Sequence, residues 1–287
     1  DLEITNMDML SSLAGLHRIT SVGRDIEKEN NDQLVSLSGL NALTSVGRDI
    51  ELIGNDKLST VAGLSSLTSI GQGLKFINND NLISLLGLNR IKSLNGVLII
   101  DDNDQLVSLS GLNELKSVGQ RLIISSNSNL SSLAGLNALT SIGQSLRIED
   151  NPLLISLTAL CNLISVGVED FNDVLSISIQ NNTALTSLSG IDNIQNIPSA
   201  VFILNNASLS TCHVASICEA LEIVDFTVSN NVGSCLDNNA LQAACGNTLP
   251  PLKCPDPCPL TCNDNVNASM PAEICELTFE PKYFLRG

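Results

Sequence analysis

Tryptophan is absent, and aromatic residues make up only 2% of the chain. A core of that composition has no large anchors. It is built from many similar small pieces, here the Leu, Ile and Val that dominate a hydrophobic content of 43%. Basic residues are scarce too: 14 Lys and Arg stand against 30 Asp and Glu, a net charge of −16. That deficit argues against nucleic acid, whose phosphates need Lys and Arg, and against anionic lipid surfaces. The apolar runs fall far short of the ~20 residues that a spanning helix needs, so no direct membrane insertion is expected. Asp1-Leu2-Glu3 lacks the basic start and apolar stretch of a signal peptide, and residue 1 reads as a processed or trimmed end. The chain has two histidines, His17 and His213, and neither has a Ser or Cys motif around it. No catalytic residue and no cofactor are expected.

What the chain has is a repeat. Gly15, Gly39, Gly63, Gly87, Gly111 and Gly135 are spaced by 24 every time, with Ala159 next. Asn31, Asn55, Asn79, Asn103, Asn127 and Asn151 keep the same step, as do Leu34, Leu58, Leu82, Leu106, Leu130 and Leu154. An insertion of seven residues around 168–174 interrupts the count, and two further turns follow at Asn182 with Gly190 and at Asn206. One turn reads L-x-I-x-x-N-x-x-L-x-S-L-x-G-L-x-x-L-x-S-V-G-x-x. Apolar bursts two or three residues apart, punctuated by Gly or Asn, indicate short strands joined by tight corners rather than amphipathic helices. The fold expected is mainly β: a right-handed parallel β-solenoid of 24-residue coils, with little helix before residue 210. Glycine fits the corners because it tolerates positive φ. A buried Asn in each coil can bond free backbone groups, and stacked copies form a ladder at roughly 4.8 Å per coil. About eight coils give a rod roughly 40 Å long. Leu34, Leu37, Leu40, Leu43, Val46, Ile50 and Leu52 are the inward set of one coil.

The unit resembles known families. Leu74-Lys-Phe-Ile-Asn-Asn79-Asp-Asn-Leu82 resembles a leucine-rich repeat, and the fuller unit with G-L-x-x-L-x-S-V-G is similar to the receptor L domain. The resemblance covers residues 2 to about 206 and implies a ligand-binding solenoid whose contacts come from outward residues. Cys212 to Cys218, Cys235 and Cys245 resemble the closing cap of such solenoids in large secreted bacterial surface proteins. Cys262 with Cys275 resembles the start of a following module in multidomain adhesin-like proteins, broken off at Gly287. The domains expected are a solenoid over 1–206, a Cys-containing C-terminal cap over 207–248, and a Cys-rich linker with the start of another module over 249–287.

All nine cysteines lie after residue 160. Cys212, Cys218, Cys235, Cys245, Cys254, Cys258, Cys262 and Cys275 read as disulfides of an oxidising compartment, with the connectivity left open. Zinc at Cys254, Cys258 and Cys262 is the alternative. Cys161, where other coils have Asn, reads as an unpaired buried thiol. Four N-x-S/T sequons occur, at Asn129, Asn181, Asn206 and Asn267.

Two sets of outward residues are candidate sites. Ile83 with Val107, and Ile99 with Ile123, put apolar side chains on the outside of adjacent coils and form a candidate binding face. Asp32, Asp56, Asp80 and Asp104 stack just after the ladder Asn; turn chemistry accounts for them better than a calcium column does. The function expected is a non-enzymatic extracellular recognition or adhesion module at the cell surface, binding a protein or carbohydrate ligand beside further domains of the same chain. Its alternative is a passive stalk. Weaker alternatives are a polysaccharide-acting β-helix enzyme and an ice-binding solenoid. The column Thr20, Thr44, Thr68, Lys92, Lys116, Thr140 is broken by two lysines, which counts against ice.

Overall fold

A computed structural model describes residues 1–7, 9–167 and 175–247. The inserted segment at 168–174 and the expected module after 249 lie outside the described residues. Ten strands form one parallel sheet in strict chain order. They run from Leu2–Thr5 through Ile26–Glu29, Ile50–Ile53, Leu74–Ile77, Leu98–Asp101, Leu122–Ser125 and Leu146–Glu149 to Leu175–Gln180, Ala200–Leu204 and Phe226–Ser229. Each coil adds one strand. A parallel neighbour needs a return crossover, and the remainder of each 24-residue unit supplies it. Leu74, for example, lies against Ile50 on one side and Leu98 on the other.

The crossovers build two further walls. Seven two-residue strands, each beginning with the Ser of the S-V element, form sheets of three and four strands, divided between Ser69–Ile70 and Ser93–Leu94. Bridges Ser36 to Thr60 to Ser84 mark the other wall. Leu34, Leu37, Leu40, Leu43, Val46, Ile50 and Leu52 all point inward and are at most 2% exposed. Helix is confined to 3₁₀ turns before residue 210, and α-helices follow at Ala215–Ala220 and Asn238–Asn247.

Coil-to-coil cohesion depends on the asparagine ladder. Asn31, Asn55, Asn79, Asn103, Asn127, Asn151, Asn182 and Asn206 are completely buried, and Asn231 extends the series. The Asn103 Nδ2 donates to the carbonyls of Phe76 and Asp101, both at 2.9 Å. The Asn103 backbone N–H donates to Asn127 Oδ1 at 3.1 Å. The amide therefore satisfies backbone groups of two coils and links to the next rung. Immediately before the rung the chain takes a left-handed turn: Asn30, Asn78, Asp102, Ser126, Asp150 and Asn181 have φ between 51° and 56°. Asn and Asp tolerate that region better than other non-glycine residues, so this corner uses them, with Gly54 as the one glycine. The glycine corner is the next one along, where Gly39, Gly87, Gly111 and Gly135 have φ of 114–126°.

Two disulfides brace the C-terminal end: Cys212–Cys235 joins the segment before the first α-helix to the 3₁₀ turn before the second, and Cys218–Cys245 joins the two α-helices. Cys161 is disulfide-bonded as well, which corrects the expected free thiol. Spacing alone suggested an isolated residue, because in the repeat it replaces an Asn. Cys254, Cys258, Cys262 and Cys275 lie outside the described residues.

One inward position breaks the apolar rule. Lys28 occupies the column of Ile4, Leu52, Phe76 and Ile100. It has no exposed surface, and its Nζ lacks a hydrogen-bond partner among the described residues. Burial pushes its amine down to about 8 from 10.5.

Two predictions follow from these features. Asn103→Ala leaves the Phe76 and Asp101 carbonyls unpaired and should destabilise the fold by about 2–4 kcal/mol in urea melts. Because the folded pKa of Lys28 lies below the unfolded one, its penalty is complete below pH 8 and lifts as pH rises toward 10.5. Lys28→Met should therefore stabilise the fold at neutral pH by up to about 3 kcal/mol. The gain should shrink in melts at pH 10; a gain independent of pH would refute the buried neutral amine.

Candidate functional site

Strand alternation sends every second residue of the large sheet outward. The outward face holds two columns. In one, Glu51, Lys75, Ile99, Ile123 and Arg147 are neighbours in register; in the other, Ile53, Ile77, Asp101, Ser125 and Glu149 are. Ile99 and Ile123 are thus adjacent and half-buried. Ile53 and Ile77 lie beside them, two positions along. Ile53 pairs with Ile77, Ile77 lies diagonal to Ile99 on the next strand at a distance of roughly 7–8 Å, and Ile99 pairs with Ile123, so the four isoleucines form one continuous line across the face. Sequence reading assigned only Ile99 and Ile123 to this face. Ile53 and Ile77 were legible from the same alternation, because they follow the inward Leu52 and Phe76.

Polar groups border this line. Lys75 Nζ pairs with Glu51 Oε1 at 2.6 Å, and Ser125 Oγ donates to Asp101 Oδ1 at 2.6 Å. A groove of about 410 Å³ runs along Ile99 and Ile123, with Arg48, Lys75 and Arg121 on its sides. Asp49 lines the groove as well, and Arg48 pairs with Asp25 at 3.6 Å, so cations outnumber acids on its sides by three to one although two of the three are ion-paired.

Ile83 and Val107 lie elsewhere. They are 59% and 52% exposed on the wall after the ladder corner, in one column with Val35 and Ile155. The backbone there is stacked coil on coil, with Ile83 donating to Ser59 and Ser59 to Val35. The two apolar pairs named from the sequence therefore occupy different walls and do not form one patch.

The structure divides the aspartate column. Carboxylate oxygens of Asp80 and Asp104 come within 4.8 Å of each other and of Asp102. Burial, then Asp56 and Asp104, raise the Asp80 carboxyl above its ordinary value. Burial, then Asp104, Asp80 and Asp101, raise that of Asp102. Like charge at this corner is a repulsion that the fold tolerates. Asp32 and Asp56 are exposed and stand outside the cluster.

The histidines are placed without a catalytic partner set. His17 Nδ1 lies 3.0 Å from the Ala14 carbonyl. His213 Nδ1 lies 3.0 Å from Ser234 Oγ. That hydroxyl donates to the Ser210 carbonyl at 2.9 Å and accepts the Cys212 N–H at 3.0 Å, so it serves the end of the coil stack. Of the sequons, Asn206 is a fully buried rung of the ladder, a position closed to a glycan. Asn267 lies outside the described residues.

The coil geometry, the ladder and the outward columns together are those of a parallel β-solenoid. Residues 116–222 match the receptor L domain family. The matched stretch runs from the fifth coil to the first α-helix, and the coils before it repeat the same unit in the same register. Receptor L domains are ligand-binding, non-enzymatic modules. None of the curated proteins matches the chain. No helix of the described residues is long and apolar enough to cross a membrane.

Both raised carboxyls bind protons more tightly folded than unfolded, so their repulsion is present at neutral pH and disappears once pH falls below the ordinary carboxyl range. Asp80→Asn with Asp102→Asn should raise the melting temperature by a few degrees at neutral pH and leave it unchanged in acid. Melts with millimolar calcium and with chelator should coincide. A calcium-dependent rise abolished by the double variant would identify a metal column instead.

Proposed function

We propose that the chain is an extracellular binding module that takes a protein ligand on the outer face of its large sheet. The observation that carries this reading is the line of Ile53, Ile77, Ile99 and Ile123 beside a groove flanked by Arg48, Lys75 and Arg121. Apolar centres with polar rims are the anatomy of protein interfaces. A cationic rim on an acidic protein selects a partner with acidic residues around an apolar patch. The match to receptor L domains supports a binding role, and the disulfides support an oxidising, extracellular location. In this reading residues 207–248 close the apolar end of the stack, as a repeat array requires. Adhesion at a cell surface is the role we assign to the module.

A passive spacer is the second reading, favoured by the near-uniform register of the coils. Purified extracellular proteins presented to the full chain in biolayer interferometry separate the two. The binding reading expects a partner whose affinity falls at least tenfold in Ile99→Glu with Ile123→Glu, while the melting temperature holds. No partner, or a partner indifferent to that variant, favours the spacer.

A further inference from the structure

The short-strand wall is interrupted at one place. From coil to coil it is held by three repeated backbone bonds; the one from Gly96 to Gln72 at 3.0 Å persists across the interruption, and the other two do not. Thr44 donates to Thr20, Thr68 to Thr44, Lys116 to Lys92 and Thr140 to Lys116; at the third residue along, Gly47 donates to Val22, Gly71 to Val46, Gly119 to Leu94 and Gly143 to Val118. Between the third and fourth coils both of these are missing among the described residues: Lys92 N–H does not reach the Thr68 carbonyl, and Asn95 N–H does not reach that of Ile70. The wall divides there into its three- and four-stranded sheets.

The sequence supplies the cause. At Gly71, Gly143 and Gly167 an added Cβ would stand 2.0 Å from the carbonyl oxygen of Gly47, Gly119 and Gly143 respectively. Only glycine allows that approach. The column reads Gly23, Gly47, Gly71, Asn95, Gly119, Gly143, Gly167, with a side chain at a single position. The Asn95 Cβ holds the fourth coil off the third, and its Nδ2 takes the Gly71 carbonyl at 2.9 Å instead.

A cleft of about 790 Å³ opens at this split, within the range of roughly 300–1,000 Å³ typical of small-molecule sites. Its sides carry Thr68, Ser69, Ser93, Arg90, Lys92 and Glu114. The side chains of Arg90 and Lys92 form no ion pair or hydrogen bond among the described residues. Lys116 follows Lys92 in the next coil. The cleft therefore offers free cations and a free backbone N–H for an anion. It also offers the Thr68 carbonyl and the Glu114 carboxylate as acceptors for hydroxyl donors.

We infer that the split between Thr68–Gly71 and Lys92–Asn95 is a binding site for an acidic saccharide, a sugar bearing a carboxylate or sulfate among its hydroxyl groups. Such a ligand uses the donors and the acceptors together. An acidic peptide uses the cations, but its N–H donors are fixed along one backbone, whereas the hydroxyls of a sugar ring stand around the charged group and can meet Thr68 and Glu114 at once. The site is separate from the isoleucine line and does not depend on it.

Isothermal titration of the full chain tests this with four probes: trigalacturonic acid, a κ-carrageenan tetrasaccharide, hexaglutamate and neutral maltotetraose. The first two distinguish a uronate source from a sulfate source. Saturable binding of either acidic saccharide is expected, weakened at least tenfold in Arg90→Gln with Lys92→Gln. Asn95→Gly restores the glycine column without altering charge; it should close the cleft and weaken binding as strongly, with no loss of thermal stability. Ile99→Glu should bind as the parent does, which keeps this result distinct from failure of the protein-binding face. The inference is overturned if neither acidic saccharide binds, if hexaglutamate or maltotetraose binds as tightly, or if Asn95→Gly binds undiminished.

Discussion

Each coil of this molecule leaves backbone amides and carbonyls inside a corner that water does not reach, and the chain survives only if the neighbouring coil can satisfy them. An unpaired buried group costs about 1–3 kcal/mol, and a corner repeated in every coil multiplies that cost. The buried asparagines answer it. Each Nδ2 bonds a carbonyl of its own strand and one of the coil before, as Asn55 does with Ile53 and Lys28 at 3.0 and 2.7 Å. The bond lengths tolerate little slippage. That is why the spacing stays at 24 residues, and why an insertion is taken up between rungs: Asn151 still meets Asn182 across 31 residues.

Stacking on a fixed rung dictates what the outer surfaces can be. Inward columns must be apolar and similar in size, so they carry little information beyond the fold. Outward columns are free to differ, and there the chain individualises itself: a run of acids and one ion pair, then isoleucines, then Arg147 along one column of the large sheet. Glycine marks where coils approach too closely for any side chain. At the one departure from glycine in such a column, Asn95, two backbone bonds of that wall are lost while the large sheet keeps its register.

Much of the fold was legible because the repeat is read by counting. The parallel stack, the inward leucines, the Asn ladder and, among the described residues, the absence of α-helix before residue 210 all follow from residues recurring at one interval. Other features lay in positions the count treated as variable. Lys28 is a polar residue in an apolar column, visible only by stepping 24 back from Leu52. The left-handed corner is filled by Asn, Asp, Ser or Gly, so no single letter repeats there. Cys161 appeared solitary because a disulfide joins residues by space rather than interval. Of the outward residues, the pairs Ile99 with Ile123 and Ile83 with Val107 were each legible as columns; that the two columns lie on different walls was not, because one dimension of sequence does not say which wall a column faces.

Side-chain bonds between the asparagines continue from coil to coil along the whole ladder, and two backbone bonds of one wall are opened at Asn95. Residue-resolved amide hydrogen exchange reads this directly. The backbone amides of Asn55, Asn103, Asn127 and Asn151 should be among the slowest in the protein, close to the limit set by global unfolding. Those of Lys92 and Asn95 should exchange orders of magnitude faster than their counterparts Lys116 and Gly119 one coil on. Equal protection of Lys92 and Lys116, or fast exchange along the asparagine ladder, would contradict the account.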